Sequence, residues 1–141
     1  MSRGIVLLLA FAAILVANDR ANAAGAVAVG IAPGGVVKGY GYGFQGNSPN
    51  MDEAKAKALG ACKTSPSNPA TQARCKVVAT FTNKCVAGAL DPKNGTPGAG
   101  WALGDTQKQA DDEALARCRN TAGDRRDFCK VINQLCDGTA K

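Results

Sequence analysis

Six cysteines, Cys62, Cys75, Cys85, Cys118, Cys129 and Cys136, have the most chemistry to offer in this 141-residue chain. Their number is even and no C-x-x-C spacing occurs, which points to three structural disulfides rather than a redox pair or a zinc site. The chain has no histidine. That removes the usual general base at neutral pH, and with it Ser-His-Asp triads, Cys-His pairs and His-ligated zinc. Carboxylates are the remaining acid–base candidates, in the clusters Asp52-Glu53 and Asp111-Asp112-Glu113. Both fall near the starts of expected helices, where the macrodipole favours negative charge. Glu53 with Lys57 and Glu113 with Arg117 are also spaced for i,i+4 ion pairs, so the clusters read as solvated helix faces. Asp124-Arg125-Arg126-Asp127 reads as a charged surface turn, with the grip of a polar ligand as the alternative. Gly39-x-Gly41-x-Gly43 lacks the spacing of a phosphate loop. No catalytic residue, metal or cofactor is expected.

The aromatic residues are the other candidates. Tyr40, Tyr42, Phe44 and Trp101 are most of the large rings in a chain with only seven. Such rings on a basic protein stack on sugars or hold peptide segments, yet with so few of them some must also serve the core. Tyr40, Tyr42 and Trp101 are the ligand-binding candidates. Trp101, the only tryptophan, occupies the position matching Tyr42 when the chain is compared with itself.

The elements that position these residues begin after a leader. Arg3 precedes an apolar run from Ile5 to Ala17, and Ala21-Asn22-Ala23 follows as an A-x-A cleavage site. The run is too short for a membrane span, which needs about 20 apolar residues. Residues 1–23 are therefore expected to be a signal peptide and residues 24–141 a single exported domain, periplasmic or secreted, with no stable membrane insertion. Loss of Arg3, Arg20 and Asp19 lowers the net charge only from +6 to +5. The mature domain keeps its basic character, which favours solubility and encounters with anionic surfaces.

That domain reads as one pattern written twice, over about residues 25–84 and 85–136. At an offset of 59, Gly39, Gly41 and Tyr42 fall on Gly98, Gly100 and Trp101; at 56, Ala54, Ala58, Leu59 and Cys62 fall on Ala110, Ala114, Leu115 and Cys118. At 54, Cys75-Lys76-Val77 falls on Cys129-Lys130-Val131. Each copy is expected to run strand, strand, helix, strand. The strand Val36–Phe44 alternates three glycines with three aromatics, one set on each face. The helices begin at Ser48-Pro49, read as an N-cap followed by proline at N1, and at Thr106, which with Gln109 forms a capping box. The 63–73 stretch reads as irregular loop. The fold class is α+β: one antiparallel-rich sheet with two helices packed on it, stapled by disulfides.

Sequence alone allows 15 pairings of six cysteines. The duplicated pattern favours Cys62 with Cys75 and Cys118 with Cys129, each joining a helix end to the next strand, and this leaves Cys85 with Cys136 as the symmetry-related pair.

The Ala-Val-Ala strand, the Gly-aromatic-Gly strand, the Ala-rich helix ending in cysteine, and Cys75-Lys76-Val77-Val78 with Cys85-Val86-Ala87, restarting once, resemble the bacterial family called domain of unknown function 4189. The resemblance covers about Gly25 to Cys136. It implies an exported bacterial protein and brings no catalytic residues with it. The long loop 63–73 and the segment Asp124–Asp127 depart from the pattern.

Taken together, the residues favour a non-catalytic binding or interaction module. Its partner would be an anionic cell-envelope polymer or another exported protein, with nucleic acid not expected. The alternatives are an inhibitor or immunity factor for a secreted toxin, and a cell-wall glycan hydrolase working through two carboxylates.

Overall fold

The computed structural model describes residues 23–141. The leader read over residues 1–23 therefore lies, but for its last residue, outside the described residues. The first half contains strand β1 (Ala24–Ile31), a 3₁₀ turn (Val36–Lys38), β2 (Tyr40–Ser48), helix α1 (Met51–Thr64), a short helix α2 (Pro69–Gln72) and β3 (Lys76–Phe81). The second contains β4 (Cys85–Leu90), β5 (Ala99–Gly104), helix α3 (Gln107–Thr121), a 3₁₀ stretch (Gly123–Phe128) and β6 (Lys130–Cys136).

The α+β class and antiparallel pairing are as expected, but the strands form two three-stranded sheets rather than one. The order is β2-β1-β3 in one sheet and β5-β4-β6 in the other. In each half the first strand takes both of the others as antiparallel neighbours, so each half closes its own sheet. What joins the halves is stacking. Strand alternation sends Ala26, Ala28 and Gly43 toward α1, and Val27, Val29, Tyr42 and Phe44 to the opposite face. The second half does the same, with Ala87, Ala89 and Ala102 against α3. A third cluster then combines Val27, Phe44 and Phe81 of the first half with Val86, Trp101 and Leu135 of the second. The layers are helix, sheet, sheet, helix.

Close approach of each helix depends on residues with little or no side chain. A Cβ on Gly100 would lie 2.6 Å from the Cys118 nitrogen and 2.7 Å from the Ala114 oxygen, and one on Gly43 would collide with Ala58 and Cys62 in the same way. Gly60, in α1, has open space around it. Gly100→Ala is therefore expected to lower stability by about 1–3 kcal/mol through overpacking. Gly60→Ala is expected to raise it by about 0.5–1 kcal/mol through helix propensity. Denaturant melts of the two variants check both signs.

These contacts also correct the half-to-half correspondence. Gly43 and Gly100 stand at equivalent points of α1 and α3, an offset of 57, and the strand registers agree: Val27 pairs with Phe44 where Gly88 pairs with Trp101. Trp101 thus corresponds to Phe44, and Tyr42 to Ala99. A Gly-aromatic alternation looks the same after a slip of two residues, which is why sequence comparison matched Trp101 to Tyr42.

The disulfides are Cys62–Cys75, Cys118–Cys129 and Cys85–Cys136. The first two join a helix end to the following strand, as the pattern suggested. Cys85–Cys136 instead links directly opposed residues of β4 and β6, and has no counterpart in the first half, where Ala24 takes the place of Cys85.

Two helix starts differ in detail. Asn50, not Ser48, caps α1, its side chain accepting from the Glu53 nitrogen at 2.9 Å. Ser48 is instead the buried last residue of β2, which runs further than expected because its pairing with β1 continues to Ala24. Thr106 does cap α3, accepting from the Gln109 nitrogen, while the Gln109 side chain reaches back to the Asp105 nitrogen. Residues 36–38, read as strand, are a tight turn, closed by glycines with positive φ at 34 and 35. The stretch 63–73 also contains the helix α2, begun by Asn68 and Pro69.

Candidate binding cleft

A cleft of about 800 Å³ opens at one end of the sandwich, between the β1–β2 turn and the β4–β5 turn. Its aromatic side is Tyr40 and Tyr42, two residues apart on β2 and so on one face. Their ring centres lie 6.2 Å apart, and Tyr42 continues to Phe44 at 5.5 Å, which roots the row in the inter-sheet core. Burial raises the pKa of the Tyr40 phenol far above the usual tyrosine range, and the neighbouring Tyr42 adds to the effect. Burial raises Tyr42 as well. Both phenols are therefore neutral at physiological pH and able to donate a hydrogen bond.

One wall is built by Asn68, whose amide nitrogen donates to the Lys38 carbonyl at 2.6 Å while its oxygen accepts from the Thr71 nitrogen at 2.9 Å. This ties the glycine turn to the start of α2 and sets Lys38 on the rim. Gln72 donates to the carbonyls of Ser65 and Ser67, both at 3.2 Å, and fixes the intervening loop. The Cys62–Cys75 bridge closes the same loop from behind.

The opposite wall is organised by Asp91. Its carboxylate is buried and accepts from Arg125 twice, at 2.5 and 2.9 Å, and from the Lys93 nitrogen at 3.0 Å. Chiefly through the Arg125 hydrogen bond, its pKa falls from 3.8 to about 2. Asp91 is the one carboxylate in the cleft lining, and Arg125 already neutralises it. The lysines Lys38 and Lys93 have no ion pair among the described residues, so the rim is positive. A folded pKa below the unfolded one means that the Asp91 pair contributes stability above about pH 4, lost as pH falls toward 2. Asp91→Asn is expected to flatten the acid limb of a pH-stability curve over that window, as acid titration followed by circular dichroism would show.

The structure thus brings Tyr40 and Tyr42 together and places Trp101 elsewhere. Trp101 is half-buried in a separate groove of about 530 Å³. Phe44 tucks its ring against Gly88 of the facing sheet. At the corresponding point of the other half Val27 replaces that glycine, and Ala99 replaces the ring that would cover Trp101 from the side.

The carboxylate clusters are spoken for. Glu53 pairs with Lys57 at 2.5 Å, Asp112 with Lys108 at 2.5 Å and Glu113 with Arg117 at 3.2 Å, while Asp111 accepts from Gln107 at 2.7 Å. In the Asp124–Asp127 segment Arg125 turns inward to Asp91, with its guanidinium 4.3 Å from the Phe128 ring centre. Among the described residues no group of three or more Cys, Asp or Glu is placed to hold a metal. Lys38, Asn68 and Lys93 carry no motif; a cluster of Gly, Pro and Asn at each turn was their only signal.

A family model matches residues 20–136, which is most of the chain. The chain belongs to the family described as a domain of unknown function (DUF4189). No curated protein and no solved structure matches it. Membership assigns no activity, so the site has to be read from its own chemistry. Three disulfides suggest an oxidising, non-cytoplasmic environment. No described helix is long and apolar enough to cross a membrane.

Proposed function

We propose that the chain is an exported, non-catalytic binding module, released by cleavage after Ala23 into the periplasm or the medium, whose ligand is an anionic glycan of the cell envelope. The observation that carries this reading is the cleft. Tyr40 and Tyr42 offer ring faces and neutral hydroxyls, the disposition that suits stacking on sugar rings. Lys38 and Lys93 supply positive charge from opposite walls, and Asn68 and Gln72 hold the loops in place before any ligand arrives. Pre-organisation of this kind lowers the ordering cost of binding. The cleft carboxylate is held by an arginine, which argues against general acid–base work there.

Calorimetric titration of the oxidised mature chain with soluble peptidoglycan fragments tests the reading. Saturable binding is expected, weakened at least tenfold in Tyr42→Ala and in Lys38→Glu, with the fragments recovered uncut. Absence of binding, or cleavage of the fragments, would overturn it. Intact-mass analysis after expression in a secreting host is expected to find Ala24 as the first residue.

A further inference from the structure

We infer that the Trp101 groove is a second, separate docking site, for an acidic protein segment that inserts an apolar side chain beside the indole. The groove shares no lining residue with the tyrosine cleft, although Val29 and Ile31 pair across the sheet with Tyr42 and Tyr40, and the inference does not depend on what that cleft binds. Val29, Ile31 and Val78 form its apolar surface with Trp101, and Arg74 and Lys76 border it. Ile31 is 43% exposed and Val78 39% exposed, among the few large apolar residues of the fold left open to solvent.

Its chemistry is one-sided. No carboxylate lines the groove, and neither Arg74 nor Lys76 has an ion pair among the described residues. A third cation, Arg117, lies 6.0 Å from the indole centre, anchored by Glu113 and by its hydrogen bond of 2.9 Å to the Trp101 carbonyl. An apolar floor with unpaired cations on its border calls for a ligand that is apolar at its centre and anionic around it.

The backbone selects how such a ligand sits. β3 is an edge strand, yet its pairing with β1 is interrupted at Val78, which has no partner between Val77 and Ala79. A bulge and a lysine on an edge discourage the addition of another strand. The groove therefore takes a side chain rather than a ladder of backbone hydrogen bonds. It is also an open groove with six lining residues, which covers one or two side chains and does not enclose an acyl chain.

The probe is a blocked pentapeptide alternating aspartate and leucine, with its lysine-for-aspartate analogue and phosphatidylglycerol vesicles as the other arms. Emission of Trp101, the only tryptophan, reports binding. The aspartate peptide is expected to shift the emission to the blue and to saturate, and its affinity should fall with added salt. Lys76→Glu and Arg74→Glu, both at exposed positions, should each weaken it at least tenfold, while the charge reversal Lys63→Glu, exposed on α1 and lining neither site, leaves it unchanged. No shift with the aspartate peptide, equal binding of the lysine peptide, preference for the vesicles, or full affinity in Lys76→Glu would each overturn the site. Because these variants keep the tryptophan and alter only surface charge, loss of fold does not enter the comparison.

Discussion

Reduction of the three disulfides is expected to unfold the protein at room temperature. In the chain-entropy model, bridges spanning 13, 51 and 11 residues contribute about 3, 4 and 3 kcal/mol. Domains of this size are typically stable by about 5–15 kcal/mol in total. The core makes the dependence sharper, because the helix–sheet interfaces are built mostly from alanine and half-cystine and bury few large side chains. Opening Cys85–Cys136 by a double serine substitution should cost the most, since it closes the longest loop and leaves a polar group at the fully buried position 85. Denaturant melts of the oxidised, reduced and double-serine forms would rank the three bridges. A reduced form as stable as the oxidised one would show that packing alone sustains the fold.

Asp137→Ala is expected to lose about 2–6 kcal/mol. The Asp137 carboxylate is fully buried where β2, β3 and β6 end, and it accepts from the Asn47 nitrogen at 2.6 Å and the Asn83 nitrogen at 3.2 Å. Asn47 and Asn83 are the two non-glycine residues with positive φ among the described residues, a conformation asparagine tolerates better than most. Their side chains complete the knot, since Asn47 accepts from the Gly138 nitrogen at 2.9 Å and Asn83 from the Thr139 nitrogen at 3.1 Å. Truncating Asp137 strands two donors at about 1–3 kcal/mol each. It also unties the first half from the last strand. Asp137→Asn keeps one acceptor and should fall between, as a thermal melt of both variants would reveal. An Asp137→Ala protein melting with the parent would remove this junction from the list of what joins the halves.

Nothing in the sequence singled out Asp137, because its partners lie 90 and 54 residues away and asparagine in a left-handed turn leaves no motif. Contrast the cysteines, whose spacing in a duplicated pattern led to the pairing that the structure has. Element order was legible for a similar reason: the Gly-aromatic alternation and the Ala-Ala-Cys helix face are local signals with a fixed period. Sheet count was not legible, because a strand pattern specifies faces and not which edges meet. The same blindness split the aromatic set. Periodicity put Tyr40, Tyr42 and Trp101 on corresponding faces, but only the stacking of the two sheets sends the tyrosines to one cleft and Trp101 to another groove. Of the cleft itself the tyrosines alone were visible. Lys38 and Lys93 reach the rim through two turns that are distant in sequence and close in space.

Backbone amide shifts of ¹⁵N-labelled, oxidised residues 24–141, recorded as soluble peptidoglycan fragments are added, test the proposed binding most directly. The tyrosine cleft predicts saturable shifts at Lys38, Tyr40, Tyr42 and Asn68 and across Lys93–Thr96, with the rest of both sheets undisturbed. Shifts confined to the α3 carboxylates Asp112 and Glu113, or a spectrum unmoved at millimolar fragment, would contradict it.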